Sequence, residues 1–242
     1  MAKDFVLKNI VQIAGIIDKD EARMLAECGV DYLGFPLRLP VNKEDLSEQE
    51  AAEIIESIRL PIKSVLITYL NNAEGIIALC KYLNVSIVQL HGEISVSELS
   101  QLKLIAPGLH LIKSLIVRDN NISELKNTVH DFSPYVNAFI TDTYDPATGA
   151  CGATGKTHDW SISRKIVELS PLPVILAGGL NPYNVGKAIQ EVRPAGVDAH
   201  TGVEDKTGRK SRKIVKAFVS EARDSFVKCR GSGRILAEIF II

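Results

Sequence analysis

The chain has 242 residues, 46% of them hydrophobic and 24% charged, and its 28 Lys+Arg against 29 Asp+Glu leave a formal charge of -1. That balance excludes an overall electrostatic footprint for nucleic acid or an anionic membrane surface, so any anion site has to be local. The apolar content excludes a disordered chain, and no uncharged apolar run approaches the ~18 residues of a spanning helix.

Short β-rich runs alternate with longer amphipathic segments from one end to the other, which is the pattern of βα units around a parallel sheet. In chain order, strands are predicted at residues 11–16, 32–35, 62–68, 86–90, 110–117, 138–142, 174–177 and 196–199. Most are nearly all apolar, as strands covered on both faces must be. Helices between them carry start signals. Asp18 precedes KDEARMLAEC, Ser47 precedes EQEAAEIIESI and Asp159 precedes WSISRKIVEL, each offering an acceptor to the orphan N–H groups of a first turn. Asn181-Pro182 does the same for YNVGKAIQEV.

Eight strands alternating with eight helices predict an α/β chain folded as a single (β/α)8 TIM barrel over residues 1–226. No strand is followed by GxGxxG, so a dinucleotide-binding domain has little support. Residues 227–242, VKCRGSGRILAEIFII, form a C-terminal extension of unknown role. Within it Arg230-Gly231-Ser232-Gly233 reads as a flexible joint, and the apolar end is expected to dock on the barrel or another subunit unless it is an artefactual tail. The four cysteines, Cys28, Cys80, Cys151 and Cys229, have no paired or zinc-binding spacing and read as reduced thiols. Asp4 and Lys8 interrupt the apolar residues of the N-terminus, which makes a poor signal peptide, so a cytoplasmic protein is expected.

In such a barrel the functional groups come from the C-terminal strand ends. That rule selects Ala14-Gly15, Gly34-Phe35, Gln89-Leu90-His91-Gly92, Asp142, Ala177-Gly178-Gly179 and Asp198-Ala199-His200-Thr201-Gly202. The loops after the last three strands are rich in glycine, with Gly149, Gly152, Gly155 and Lys156, then Gly178-Gly179, then Gly202. Backbone N–H groups there can cradle a phosphate without net positive charge, although tight turns alone would also use glycine. Residues 150–157 nearly match the nucleotide P-loop GxxxxGK[ST], with Ala150 for the first glycine. Standing after the sixth strand without a Walker-B partner, the same cradle serves a sugar phosphate equally well.

GATGKTHDW (152–160), ILAGGLNPYNV (175–185), VQLHGE (88–93), GVD followed by TGVE (196–204) and the opening QIAGI (12–16), which fall at the right strands in the right order along the chain, resemble the phosphoribosylanthranilate isomerase family. The resemblance spans about residues 10–225. It implies an Amadori rearrangement in tryptophan biosynthesis, without metal or organic cofactor, on a small-molecule phosphosugar. It implies no nucleic-acid or membrane partner and a monomer or homodimer. Asp142 falls at the position of the acid that protonates the sugar ring oxygen. Gly155, Lys156, Gly178, Gly179, Gly202 and Val203 fall at the phosphate site, and Gln89, His91 and Asp198 complete the expected substrate contacts.

Three departures stand beside the matches. Ala14 occupies the position of the family's cysteine base. The arginine after strand 2 that meets the anthranilate carboxylate is out of register, leaving Arg38 or Lys43 to replace it. His200 stands where a small hydroxyl residue is usual, and strand 8 lies beside strand 1 in a closed barrel. His200 is therefore a candidate replacement base, an imidazole being suited to proton transfer near pH 7, beside two rival readings: a hydrogen-bonded polar residue of the barrel mouth, or a site that has changed substrate. His110, His130 and His158 read as surface or loop residues. Two alternatives stay open: a diverged isomerase or lyase for another phosphosugar, and a non-catalytic phosphometabolite-binding barrel.

Overall fold

The computed structural model describes residues 7–40, 45–59, 61–119, 121–144 and 157–238, the last eight by backbone alone. Expected site residues Lys43, Gly149, Gly152, Gly155 and Lys156, and Cys151, lie outside the described residues. The strands are β1 (Ile10–Ala14), β2 (Tyr32–Leu37), β3 (Lys63–Thr68), β4 (Ile87–Leu90), β5 (His110–Val117), β6 (Ala138–Thr143), β7 (Val174–Leu176) and β8 (Gly196–Ala199). They form one closed barrel in sequence order, every neighbouring pair parallel, with β8 hydrogen-bonded beside β1. This is the predicted (β/α)8 architecture.

The period-two alternation of strands divides each one between two environments. Ile10, Ala14, Val65, Ile67, Ile87, Ile112, Ala138, Ile140, Ile175 and Ala177 fill the barrel interior as one apolar cluster. Their outward neighbours, such as Val11, Ile13, Leu33, Phe35, Val88, Leu111, Phe139 and Val197, pack under the helices in a second and larger cluster. The same alternation carries Gln12, Gln89, Ser114, Asp142 and Asp198 onto the interior face, at its upper end.

The helices are α1 (Lys19–Glu27), α2 (Glu48–Ser57), α3 (Ala73–Leu83), α4 (Val96–Ile105), α5 (Ile122–Phe132), α6 (Trp160–Leu169), α7 (Val185–Val192) and α8 (Arg212–Glu238). Asp18, Ser47 and Asp159 cap α1, α2 and α6 as expected, with Ser47 and Glu50 closing a reciprocal capping box. At α7 the start lies further on. The cap is Asn184, because Asn181 and Pro182 open a turn first: the Asn181 side chain accepts from the Tyr183 N–H and its carbonyl from that of Val185. The segment expected to be a joint at 230–233 is helical backbone within α8. A helix already nucleated by packed turns extends through glycines that would prevent it from starting. Cys28, Cys80 and Cys229 carry no disulfide. Among the described residues no helix is long and apolar enough to cross a membrane.

Candidate active site

At the C-terminal mouth, polar side chains from five strands meet above the apolar interior. Gln12 Nε2 on β1 donates to Gln89 Oε1 on β4 at 3.1 Å. Gln89 Nε2 donates to Ser114 Oγ on β5 at 3.3 Å, and that hydroxyl lies 2.9 Å from His91 Nδ1. Tyr69 presses edge-on against the His91 ring, the centroids 4.8 Å apart. Asp198 on β8 pairs in register with Gln12, so a belt of polar residues crosses the mouth from Asp198 to His91. Such a belt holds its members in fixed rotamers, since each buried polar group would be destabilising without its partner.

Both ends of the belt face Asp142. Its carboxyl, on β6, accepts the Thr143 N–H at 2.8 Å. Burial pushes its pKa up, opposed by His91 and by that N–H, which moves the carboxyl toward the protonated form. Asp198 is 8% exposed, and its Oδ1 has no hydrogen-bond partner among the described residues. Burial and then the charge of Asp142 push its pKa up to about 7, while Gln12 and Lys210 pull the other way. Two carboxyl groups in one mouth cannot both ionise cheaply, which leaves a pair primed to hold one proton.

His200 follows β8 and leans over β1. A Cβ on Gly15 would lie 2.1 Å from His200 Nε2, so only glycine, at φ +76°, fits beneath the ring. The imidazole thus lies over Gly15, the residue after Ala14. Its pKa is driven down to about 4, by burial first and then by the charge of Lys210, which makes it a neutral ring at pH 7. Lys210 Nζ is 2.6 Å from Glu204 Oε1, and His200 Nε2 is 3.5 Å from the same oxygen.

Gly178 and Gly179 turn the chain after β7 at φ +98° and +62°. A methyl at Gly178 would meet Thr143 Oγ1 at 2.1 Å, and one at Gly202 would meet the Leu180 carbonyl oxygen at 1.9 Å. Gly178, Gly179 and Gly202, with Asp142, Asp198 and His200, line one small cavity of about 30 Å³. Other expected residues stand apart. Val203 is fully buried in the outer core, so only its backbone can serve a ligand. Arg38, just past β2, bonds through Nε to Glu48 at the start of α2. Gln89 and His91 act within the belt rather than as cavity walls.

Several contributors carried no readable signal. Lys210 sits in the run Arg209-Lys210-Ser211-Arg212-Lys213, which reads as a solvated charged face, yet its side chain is 1% exposed. Gln12 and Ser114 look like ordinary polar interruptions of strands. His158 is the loop residue expected, yet half-buried: it bridges Thr143 Oγ1 at 2.8 Å and Ser163 Oγ at 2.6 Å, and burial brings its pKa down to about 4. Only the spacing of the closed barrel brings these groups together.

A family model described as N-(5'-phosphoribosyl)anthranilate (PRA) isomerase matches residues 11–221. An N-(5'-phosphoribosyl)anthranilate isomerase 2 of Methanosarcina mazei is 39% identical over 224 residues, covering 91% of this chain and 96% of that protein. The solved phosphoribosyl anthranilate isomerase of Thermotoga maritima superposes with a TM-score of 0.75 at 29% identity, covering 89% of this chain and 98% of that one. A phosphoribosyl anthranilate isomerase solved in complex with reduced 1-(o-carboxyphenylamino)-1-deoxyribulose 5-phosphate superposes with a TM-score of 0.73 at 27% identity and the same coverage. With the barrel, the glycine-lined cavity and Asp142 in place, the chain belongs to the N-(5'-phosphoribosyl)anthranilate isomerase family.

Proposed function

We propose that the protein isomerises N-(5'-phosphoribosyl)anthranilate to the 1-deoxyribulose 5-phosphate derivative, the aldose-to-ketose step of tryptophan biosynthesis, with no metal or organic cofactor. The observation that carries this reading is the single cavity that joins Asp142 to Gly178, Gly179 and Gly202. A carboxyl whose pKa burial raises is suited to donate to the furanose ring oxygen as the ring opens, while the anilino nitrogen's lone pair forms the C1=N bond. The glycines hold the 5-phosphate through backbone N–H groups, joined in the family's manner by Gly155 and Lys156, with Val203 contributing backbone.

Gln89 and His91 keep the Asp142 side of the mouth polar and ordered. Arg38 meets the anthranilate carboxylate by leaving Glu48. The proton on C2 needs an acceptor, and His200 is the one read from sequence. Its imidazole is neutral and stands beside β1, yet a pKa of about 4 makes it a feeble base. We place the enzyme in the cytoplasm as a monomer or homodimer, the barrel of residues 1–226 being the catalytic unit. A Thermotoga maritima relative is described as dimeric.

Steady-state turnover of phosphoribosylanthranilate tests the reading. The wild type should turn over, and Asp142→Asn should lose about 10²–10⁴-fold in kcat, the range of a general acid. A wild type without turnover rejects the named activity. Turnover of another phosphosugar would then favour a diverged isomerase, and phosphate-competitive binding alone would favour a binding protein.

A further inference from the structure

Ala14 leaves the C2 proton without the thiol that the resemblance calls for, and one other side chain in the mouth has the position and the spare atom for the task. We propose that Asp198 is the base of this barrel, taking from C2 the proton that a cysteine on β1 would otherwise take. The inference rests on the isomerase reading above.

The geometry argues for it in three steps. Asp198 pairs in register with Gln12, two residues before Ala14 on the same interior face, so its carboxyl rises one pleat below the methyl of Ala14. An alanine there has no ionisable group, and the strand beside it carries a carboxyl on the same interior face. Second, the Asp198 carboxyl has a spare oxygen: Oδ1 has no hydrogen-bond partner among the described residues although the residue is more than nine-tenths buried. Such an atom is completed in a native protein by water, a ligand or a reacting group, and of the four so placed among the described residues, with Gln12 Oε1, Thr141 Oγ1 and Trp160 Nε1, it alone belongs to a carboxyl. Third, that carboxyl lines the same cavity as Asp142 and the glycines, so acid, base and phosphate cradle share one space.

The charged groups acting on Asp198 are Asp142 from β6 and Lys210 from the segment before α8, with His200 on the same cavity wall. Their sum with burial holds Asp198 at about 7, some three pH units more basic than His200 at about 4. A base matched to neutral pH combines a large ionised fraction with driving force for the transfer.

The protons balance across the pair. Asp142 gives its proton to the ring oxygen and becomes a carboxylate as the C1–O bond breaks and C1=N forms. Ionised Asp198 then takes the C2 proton; the C2–H electron pair becomes the C1=C2 bond, and the C1=N π pair returns to nitrogen. Ketonisation places the Asp198 proton on C1 and releases the C2 hydroxyl proton to Asp142, which restores both groups.

The experiment compares the wild type with Asp198→Asn, His200→Gln, Ala14→Cys and the combination of Ala14→Cys with each of the first two. Readouts are turnover of phosphoribosylanthranilate, its pH profile, and binding of the reduced product, which requires no proton transfer. Asp198→Asn should lose about 10²–10⁴-fold in kcat while binding the reduced product within about threefold of the wild type. Ala14→Cys should restore Asp198→Asn by roughly tenfold or more, and move the acid limb of kcat/KM from about 7 toward the thiol value of about 8.5. Asp198→Asn within about tenfold of the wild type overturns the proposal. So does a loss that the thiol leaves unrescued with reduced-product binding lost, or rescue of His200→Gln instead. If Asp198→Asn does not fold, the wild-type acid limb decides: near 7 supports Asp198, and near 4 overturns it in favour of His200. A wild type without turnover sinks the isomerase reading itself, a result distinct from all of these.

Discussion

The hydrogen on the Cα of Gly202 occupies the place of a methyl that would lie 1.9 Å from the Leu180 carbonyl oxygen, with Asn181 Cβ at 3.1 Å. Backbone cannot yield as a flexible side chain does, so the loop after β8 must move if this residue gains a Cβ. Gly202→Ala should raise the KM for phosphoribosylanthranilate roughly tenfold or more through loss of phosphate-site geometry, and cost about 1–3 kcal/mol in urea unfolding. Gly108 supplies the contrast, because a Cβ there meets nothing within 4 Å and its φ is ordinary. Gly108→Ala should stabilise the fold by about 0.4–1 kcal/mol with kinetics unchanged, since only the unfolded chain loses freedom. The same scale governs His200. Burial depresses its pKa first and the Lys210 charge second, so removing the charge separates the two. In the neutral pair Lys210→Met with Glu204→Gln, the His200 ring protons should titrate above the wild-type value when followed by NMR. A midpoint still at about 4 would assign the whole depression to burial.

Among the elements, α7 binds the site to the scaffold. Asn184 accepts the Asn181 N–H at 2.8 Å and donates through Nδ2 to the Gly179 carbonyl at 3.0 Å, so the first turn of the helix clamps the glycine loop after β7. Asn184→Ala should therefore raise KM more than it lowers stability, whereas Ser47→Ala, which breaks the capping box of α2, should cost about 1 kcal/mol in urea and leave KM alone. Equal effects on both properties in both variants would show that the clamp is only a cap. The strands were legible because a parallel barrel covers both faces of each one, and unbroken apolar runs betray that environment. Asp142, Gly178, Gly179 and Gly202 were legible for the converse reason: they interrupt those runs at the strand ends. The α7 start was misplaced because Asn-Pro signals a turn as readily as a helix. The belt was not legible at all. Gln12 meets Gln89 across 77 residues, and Gln89 meets Ser114 across 25, distances that one strand's periodicity does not encode.

For the whole molecule, the buried titratable groups pull stability in opposite directions with pH. His158 and His200 are held at about 4 against 6.5 for an ordinary imidazole, so an unfolded chain binds more protons than the folded one in that interval. Their contribution is present above 6.5 and is lost as the pH falls toward 4. Asp198 works the other way. Its folded value of about 7 lies above the 3.8 of an unfolded aspartate, so the folded chain binds the extra proton. Stability from Asp198 is complete below 3.8 and is lost as the pH rises through 7. An asparagine is close in shape to the protonated carboxyl and never ionises. Asp198→Asn should thus match the wild type in Tm near pH 4 and melt progressively higher than it as the pH approaches 8, by an amount on the order of a few kcal/mol at most. A carboxylate kept for packing or for a structural ion pair would show the reverse, with the variant weakest where the charge is present. Buried charge that weakens the fold at working pH is the expected condition of a group retained for chemistry. Scanning calorimetry of the two proteins from pH 4 to 8 decides it: a Tm difference that stays flat or turns against the variant would make Asp198 a support of the barrel and not a reactive group of its mouth.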